Sequence, residues 1–347
     1  MTDPSNPIPG AGQPDAAGLG GTPFPPMTRR HLLVPDLNGR APEPAQTMTV
    51  VSAPAAERPR SLGQDAWAEM RHRPLFWIAS ALVLLFVVMA VFPQLFTSAN
   101  PMSCPLSLSR QPPRPGAIFG NDMQGCDIFA RTVYGARASI IVGVGTALAA
   151  ALIGGTLGTL AGYLGGWVDA ILSRTADIFF AIPLLMAAIV AGAFVPVPPA
   201  ASLPRGAIQI VAILAIFGWP NIYRLMRASV LQVKSQEFVL AARALGANPL
   251  RLITSHIVPN SLTPLIVVST IDLGGYITTE AAMSLLGVGY PSTVISWGGA
   301  IAKAAELGLI RNAPHMLLFP AAALCLAVLA FIMLGEVVRD AFDPKTR

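Results

Sequence analysis

Six long apolar segments constrain the fold of this chain more than any other feature of its sequence. They are residues 75–96, 138–162, 172–195, 207–226, 261–285 and 315–337. A helix needs ~20 predominantly apolar residues to cross the hydrocarbon core of a bilayer. Only 12% of the 347 residues are charged, whereas a soluble domain carries about 25%. The sequence therefore predicts an all-α polytopic membrane protein with six transmembrane helices.

The N-terminal region has a different composition. Residues 1–60 hold 12 of the 32 prolines and no long apolar run, so they cannot bury enough apolar surface to offset the entropy of ordering. We expect a disordered cytoplasmic tail. Residues 61–74 begin with Ser61 and Gln64, the spacing of a capping box, and place Trp67 beside several arginines. This pattern predicts an amphipathic helix in the membrane interface, an elbow before the first span.

Arginine and lysine are distributed unevenly between the ends of the spans. If the N-terminus is cytoplasmic, 13 of the 23 lie in the inner flanks of the spans, seven in the outer segments and three in the distal tail. Because positive residues favour the cytoplasmic side, we expect a multi-pass protein of the cell membrane with both termini cytoplasmic. Residues 97–137 then form an extracytoplasmic loop that holds Cys104 and Cys126. An oxidising exterior permits a disulfide between them, but the sequence leaves two free thiols open.

Sequence signatures of catalysis are missing. A phosphate-binding P-loop needs Gly-Lys followed by Ser or Thr, and none of Lys234, Lys303 and Lys345 follows a glycine. The four histidines are far apart, and no serine stands in a Gly-x-Ser-x-Gly elbow. No basic cluster with interleaved aromatic residues predicts nucleic-acid binding. We therefore expect no enzyme activity, metal or cofactor in this chain.

The segment between the fourth and fifth spans, residues 232–260, predicts two short helices. Ser235 can cap the first helix, and Gly246 can end it in a left-handed conformation. Asn248 can cap the second, with Pro249 at its first position. The first helix has an apolar face formed by Phe238, Ala241, Ala242 and Leu245. Whether these faces pack on the spans of the chain itself or on a partner protein stays open.

This segment resembles the cytoplasmic loop of ABC-importer permeases. The pattern of that loop is Glu-Ala-Ala, three residues, Gly, about ten residues, and Ile-x-Pro. Here the corresponding residues are Leu240-Ala241-Ala242, Gly246, Ile257 and Pro259. Leu240 replaces the glutamate of the pattern.

Three further motifs resemble those of peptide and nickel importer permeases. They are Gly120–Asp127 with Tyr134–Ser139, Thr279–Gly289 with Ser296–Gly298, and Leu334–Pro344. The resemblance runs from about Ser61 to Pro344 and fits the second, C-type permease of a dipeptide or oligopeptide importer. Cys126 replaces an arginine that is usual in the family, which favours a bridge to Cys104.

The resemblance implies a type I ABC importer permease fold, like that of methionine importers, with a five-helix core over residues 138–345. It implies a homologous second permease, two ATPase subunits that are separate or fused, and an extracellular lipid-anchored substrate-binding protein. ATP and magnesium would bind to the ATPase subunits. Peptides are the expected cargo, and nickel complexes or another ligand are the alternative. A stand-alone channel or secondary transporter is the competing class.

In such importers the motion of the ATPases reaches the spans through the cytoplasmic loop. The residues expected to serve this coupling are Glu237, Phe238, Leu240, Ala241, Ala242, Leu245, Gly246, Ile257 and Pro259.

Small residues on the second span predict close helix packing. Gly154, Gly158 and Gly162 repeat at a spacing of four residues, which lets helices approach closely in lipid. The partner helix belongs either to a second permease or to this same chain, and the sequence leaves both open.

Polar residues on the fifth span predict a functional stripe. Asp272, Tyr276 and Glu280 lie at i, i+4 and i+8, and ionisable groups in a span face a cavity or a partner charge. The stripe could line the substrate path and attract a cationic group, such as a peptide amino terminus. Alternatively, it forms a structural hydrogen-bond network, with Glu280 solvated near the outer rim.

Two further residues have structural interpretations. Asp177, near the inner end of the third span, is expected to pair with Arg174. Trp297, in an outer loop, could contact the binding protein or anchor at the membrane interface, and we expect the anchor, which is the commoner role of tryptophan.

Overall fold

A computed structural model describes residues 67–305 and 307–342, and this part of the chain is built from helices joined by turns and irregular loops. The predicted tail over residues 1–60 lies outside the described residues. The first half of the predicted elbow, residues 61–66, also lies outside them. In its second half, residues 67–70 form a helical turn.

The helices of the described part are numbered here in chain order. They are α1 (Pro74–Val91), α2 (Ile128–Leu164), α3 (Gly166–Phe180), α4 (Leu184–Phe194), α5 (Leu203–Lys234), α6 (Glu237–Ala244), α7 (Pro249–Arg251), α8 (Val258–Leu285), α9 (Trp297–Ala304), α10 (Leu307–Asn312) and α11 (His315–Phe342). Short 3-10 helices cover Pro93–Leu95 and Leu106–Leu108, and a π-helical turn, Leu252–Ile257, joins α7 to α8.

Five helical segments are long and apolar enough to cross a membrane. They are α1, α2, α5, α11 and the continuous run Pro249–Leu285. The sixth span is a pair, α3 and α4, whose axes differ by 82°. The protein is therefore an all-α polytopic membrane protein, and its described part has five continuous candidate spans and a sixth that is broken.

The prediction of one continuous helix over residues 172–195 is wrong at its centre. Helix α3 ends at Phe180, and Pro183 stands immediately before α4 with φ −57° and ψ 126°. Proline has no N–H to donate, and its ring disfavours helical geometry at the preceding residue, Ile182. These effects end α3 and let the chain change direction.

Helices α2 and α5 form the centre of the bundle, and the glycines of α2 face α5. A Cβ at Gly154 would lie 2.7 Å from the carbonyl oxygen of Trp219, and one at Gly158 would lie 2.7 Å from that of Tyr223. A Cβ at Gly162 would lie 2.8 Å from a methyl group of Val230. The glycine repeat therefore packs on α5 of the same chain, which is one of the two alternatives left open by the sequence.

The two ends of the bundle carry different features. At one end Arg73 pairs with Asp340 at 2.7 Å, and Lys234 Nζ donates to the Tyr163 carbonyl at 2.6 Å. We call this the loop end because residues 235–257 lie there. At the other end, called the disulfide end, Cys104 is bonded to Cys126.

Candidate functional site

A cleft of about 280 Å³ opens at the break between α3 and α4. Its walls come from this break, from the middle of α5 and from α8. The lining residues are Phe179, Phe180, Ile182, Pro183, Leu184, Phe217, Gly218, Pro220, Asn221, Asp272, Gly275, Tyr276 and Thr279. Broken helices at membrane depth occur where they line a cavity, because their backbone groups need other partners.

Irregular backbone shapes this cleft on two sides. Pro183 separates α3 from α4, and Pro220 lies inside α5, where it removes one helical hydrogen bond. Gly218 leaves room for Tyr276, whose hydroxyl oxygen lies 3.5 Å from the Gly218 carbonyl oxygen. A Cβ at Gly218 would lie 2.7 Å from that same hydroxyl oxygen. Tyr276 is thus seated against α5 with its ring in the wall of the cleft.

Asp272 supplies the one carboxylate among the lining residues. Its Oδ2 accepts a hydrogen bond of 3.2 Å from Nδ2 of Asn221. Among the described residues that line the cleft there is no arginine, lysine or histidine. The cleft therefore presents a negative charge without a cationic partner from its own walls, an arrangement suited to binding a cation.

An ion pair lies beside the cleft on the side of α3. Arg224 Nη2 donates to Asp177 at 2.8 Å, and its guanidinium lies 3.8 Å from the centre of the Phe180 ring. The expected pairing of Asp177 with Arg174 is therefore wrong. Helix α5 passes close to α3 here, and its Arg224 is also held against the Phe180 ring on α3.

Glu280 is separate from the cleft. It is fully buried and accepts hydrogen bonds from the hydroxyls of Ser284 at 2.8 Å and Ser139 at 3.2 Å. The idea that Glu280 is solvated near a rim is wrong, because α2 covers this turn of α8. The structure thus divides the predicted stripe. Asp272 and Tyr276 line the cleft, and Glu280 ties α8 to α2.

Helix α6 is anchored to the bundle by a residue that the sequence analysis missed. Val239 is fully buried and packs with Leu252 and Ile257 against Met226 and Val230 of α5. Its position within the uninterrupted apolar run 238–242 was the available signal. The segment is therefore attached to the spans of its own chain along one side.

The remaining sides of α6 are open. Phe238 and Leu240 are half exposed, and Leu245 is 89% exposed. Ala241 is exposed and Ala242 is partly buried. Of the predicted apolar face, Ala242 therefore packs against the bundle, and the other residues face solvent. Pro259, at the start of α8, is exposed too.

The turns of this segment follow local sequence rules, with one exception. Gly246 has φ +84°, in the left-handed region that glycine favours, and the Asn248 side chain accepts from the Arg251 N–H at 2.7 Å. The expected cap at Ser235 is wrong. Gln236 precedes α6 without a side-chain cap, and the Ser235 hydroxyl instead donates to the Gln232 carbonyl.

The disulfide end is held by polar contacts around the start of α2. Asp127 caps α2 by accepting from two backbone N–H groups, and Arg131 pairs with Asp122 at 3.2 Å. Trp297 is fully buried and donates from its indole N–H to the Thr132 carbonyl at 2.8 Å. The expectation that Trp297 anchors at the interface is therefore wrong, since the indole lies inside the bundle.

Two family models match the chain. One, described as the binding-protein-dependent transport system inner membrane component, matches residues 154–347. The other, described as the N-terminal TM domain of oligopeptide transport permease C, matches residues 61–113. The cleft and the α6 segment both lie within the range of the first match.

Similar proteins cover nearly the same length. The oligopeptide transport system permease protein OppC of Bacillus subtilis is 36% identical over 88% of this chain and 97% of its own length. The dipeptide transport system permease protein DppC of Alkalihalophilus pseudofirmus is 35% identical over 91% and 97%. The glutathione transport system permease protein GsiD of Pectobacterium atrosepticum is 37% identical over 66% and 73%. This chain belongs to the family of inner membrane components of binding-protein-dependent transport systems.

Proposed function

We propose that this chain is a permease subunit of an ATP-driven importer of di- or oligopeptides. The observation that carries this proposal is the similarity, over about nine tenths of the chain, to permeases that are named for oligopeptide and dipeptide transport. An extracellular, lipid-anchored binding protein delivers the peptide, and a homologous second permease completes the membrane pathway. Separate or fused ATPase subunits bind ATP and magnesium.

The orientation follows from the chemistry of the two ends. A disulfide persists in an oxidising compartment and is rare in the cytosol, so the bond between Cys104 and Cys126 supports an extracytoplasmic disulfide end. The loop end, with the ends of α5 and α11, is then cytoplasmic. Both termini lie in the cytoplasm of a multi-pass protein in the cell membrane.

The α6 segment couples the ATPase subunits to the spans. Exposed apolar side chains in a polar setting mark a protein interface, and Phe238, Leu240 and Leu245 are exposed apolar side chains on α6 and the turn after it, at the cytoplasmic end. On the buried side, Val239 and Ile257 pack on α5. A displacement of the ATPase subunit is therefore passed through α6 into α5. Glu237, Ala241, Ala242, Gly246 and Pro259 complete this coupling surface.

A charged substitution on the open side of α6 tests the coupling role. We expect Leu245→Glu to abolish peptide uptake and reduce recovery of the ATPase subunit, because a charge cannot be buried in an apolar interface. Leu106→Glu is the matched control, since Leu106 is a similarly exposed leucine at the disulfide end. Its uptake should stay near that of the unmodified protein. Normal uptake by Leu245→Glu would remove the coupling assignment.

Affinity purification in mild detergent tests the importer assignment itself. Cells that produce the complete transporter should yield this chain with a second six-span permease, an ATP-hydrolysing subunit and a lipid-anchored binding protein. Mass spectrometry identifies the subunits, and an ATPase assay measures their activity. Recovery of a stable monomer or homo-oligomer without ATPase activity would favour a stand-alone channel or secondary transporter.

A further inference from the structure

We infer that the cleft at the α3–α4 break binds the free ammonium group of the peptide during its passage, with Asp272 as the anionic partner. The inference rests on the proposed peptide importer and adds a specificity-determining residue within the membrane. The permease itself would then select for a charged amino terminus, in addition to the selection made by the binding protein.

The carboxylate of Asp272 has capacity for a further donor. Its Oδ2 accepts from Asn221, and its Oδ1 accepts no hydrogen bond from the part of the chain that the structure describes. An ionised carboxylate offers about four lone-pair sites. An ammonium group carries three N–H donors and no acceptor, which matches this surplus of acceptors. The single contact from Asn221 orients the carboxylate and leaves Oδ1 free for the cargo.

Aromatic walls add to the preference for a cation. Phe179, Phe217 and Tyr276 line the cleft around Asp272, and the face of an aromatic ring attracts a cation within about 6 Å. Arg224 already lies against the neighbouring Phe180 ring, which shows that a cation is accepted at this edge. An anion would meet both the carboxylate and the negative faces of the rings.

Other charges near the cleft do not neutralise Asp272. The guanidinium of Arg224 is engaged by Asp177 at 2.8 Å, and within the described part of the chain Asp272 is the one charged side chain in the walls. Charge inside a span is costly unless a partner of opposite sign compensates it. A cationic cargo group supplies that partner transiently.

The ligand set favours an ammonium group over a metal ion. Calcium takes six to eight oxygen ligands, whereas the walls offer one carboxylate, one amide and two hydroxyls, at Asp272, Asn221, Tyr276 and Thr279. The Thr279 hydroxyl already donates to the Gly275 carbonyl at 2.8 Å. The cavity of about 280 Å³ lies just below the usual range of about 300–1,000 Å³ for ligand pockets. It suits the terminal group and first residue of a peptide.

The test measures uptake into proteoliposomes that contain the complete transporter with its partner subunits and binding protein. Two labelled substrates are compared, a dipeptide with a free amino terminus and the same dipeptide with an acetylated one. We expect Asp272→Asn to reduce the ratio of free to acetylated uptake about tenfold, the scale of one charge-assisted contact out of water. The binding protein is the same in every reaction, so a change in this ratio reports on the permease.

Control variants separate this role from a general loss of charge or of fold. Glu69→Gln removes an exposed carboxylate far from the cleft and should leave the ratio unchanged. Asp272→Glu keeps the charge and should retain most of the ratio. Asn221→Ala, at an exposed position, should lower the ratio about threefold through loss of one positioning hydrogen bond. It is the deciding variant if Asp272→Asn does not reach the membrane.

The outcomes distinguish this inference from the function on which it rests. An unchanged ratio in Asp272→Asn, with normal uptake of the free dipeptide, would overturn the cleft assignment and leave the importer assignment intact. Loss of copurifying subunits in Asp272→Asn would assign the carboxylate to a subunit contact and would also overturn it. Failure of the unmodified transporter to take up either dipeptide would instead refute the proposed function.

Discussion

Arg227 forms a bidentate ion pair with Asp169. Its Nε donates to Oδ1, and its Nη2 donates to Oδ2 at 2.6 Å. The pair joins α5 to the first turn of α3. About two turns further along α3, Asp177 makes the single contact with Arg224 described above. The first half of the broken span is therefore tied to α5 at two levels, and the contact nearer the loop end is the more enclosed.

The two ion pairs predict different losses of stability. We expect Asp169→Asn to lower the free energy of unfolding by about 1 kcal/mol, because it breaks a bidentate pair that is only partly screened by solvent. Asp177→Asn breaks a pair that is about half exposed and should cost only a few tenths of a kcal/mol. Thermal unfolding of both variants in one detergent measures the difference. Equal shifts in Tm would show that the geometry of the first pair adds nothing.

The glycine contacts predict a steric effect on α2. Gly154→Ala places a methyl group 2.7 Å from a backbone oxygen of α5, and overpacking of this kind costs about 1–3 kcal/mol. The control is Gly275→Ala, because a Cβ at Gly275 meets no atom within 4 Å. Its replacement should be neutral or stabilising by up to about 1 kcal/mol, from helix propensity. A Tm for Gly154→Ala as high as that of the control would contradict the close packing of α2 on α5.

Because Glu280 is buried, we expect truncation of its side chain to lower the stability of the fold. Glu280→Ala leaves a cavity and removes the acceptor of the Ser139 and Ser284 hydroxyls, which should cost about 2–4 kcal/mol. Glu280→Gln keeps the shape and an acceptor oxygen and should cost less. Thermal stability and the amount of folded protein in the membrane report the effect. A Glu280→Ala variant with unmodified stability would be inconsistent with the network.

The disulfide predicts a local effect at its end of the bundle. Cys104 and Cys126 close a loop over a sequence separation of 22, and a loop of that order contributes about 3 kcal/mol in the chain-entropy account. We expect replacement of both by serine to make residues 97–127 sensitive to limited proteolysis. Cys325→Ser, at a free and exposed cysteine on α11, is the control and should leave the digestion pattern unchanged. Alkylation of Cys104 and Cys126 without prior reduction would contradict the bond.

The sequence alone determined the membrane class and most of the spans. A span requires only enough apolar residues in a row, so four predicted segments lie within observed helices. The first predicted segment, 75–96, runs five residues past the end of α1 at Val91, because Phe92 and the 3-10 turn Pro93–Leu95 end the helix there. The turn at Gly246 and the cap at Asn248 were predictable for a similar reason. Each depends on the conformational preference or the side chain of one residue within its own turn.

The break in the third span illustrates what local rules leave open. Pro183 lies in the break between α3 and α4, whereas Pro220, Pro264 and Pro320 lie inside continuous helices. All four remove a backbone donor. The difference comes from the surroundings, because neighbouring helices and side chains can satisfy the freed groups and keep a membrane helix intact. The cleft that depends on this break could therefore not be derived from the proline itself.

Only the tertiary structure decided which polar groups meet. Asp272 and Glu280 belong to the same stripe on α8 but have different surroundings. Asp272 lies in the cleft beside α5, whereas Glu280 is buried against α2 and accepts hydrogen bonds from serine hydroxyls. Asp177 pairs across to α5, although a cation was available on its own helix. A span sequence specifies that a residue is apolar or charged. Its neighbours depend on the rotation and packing of whole helices, which arise from contacts distant in sequence.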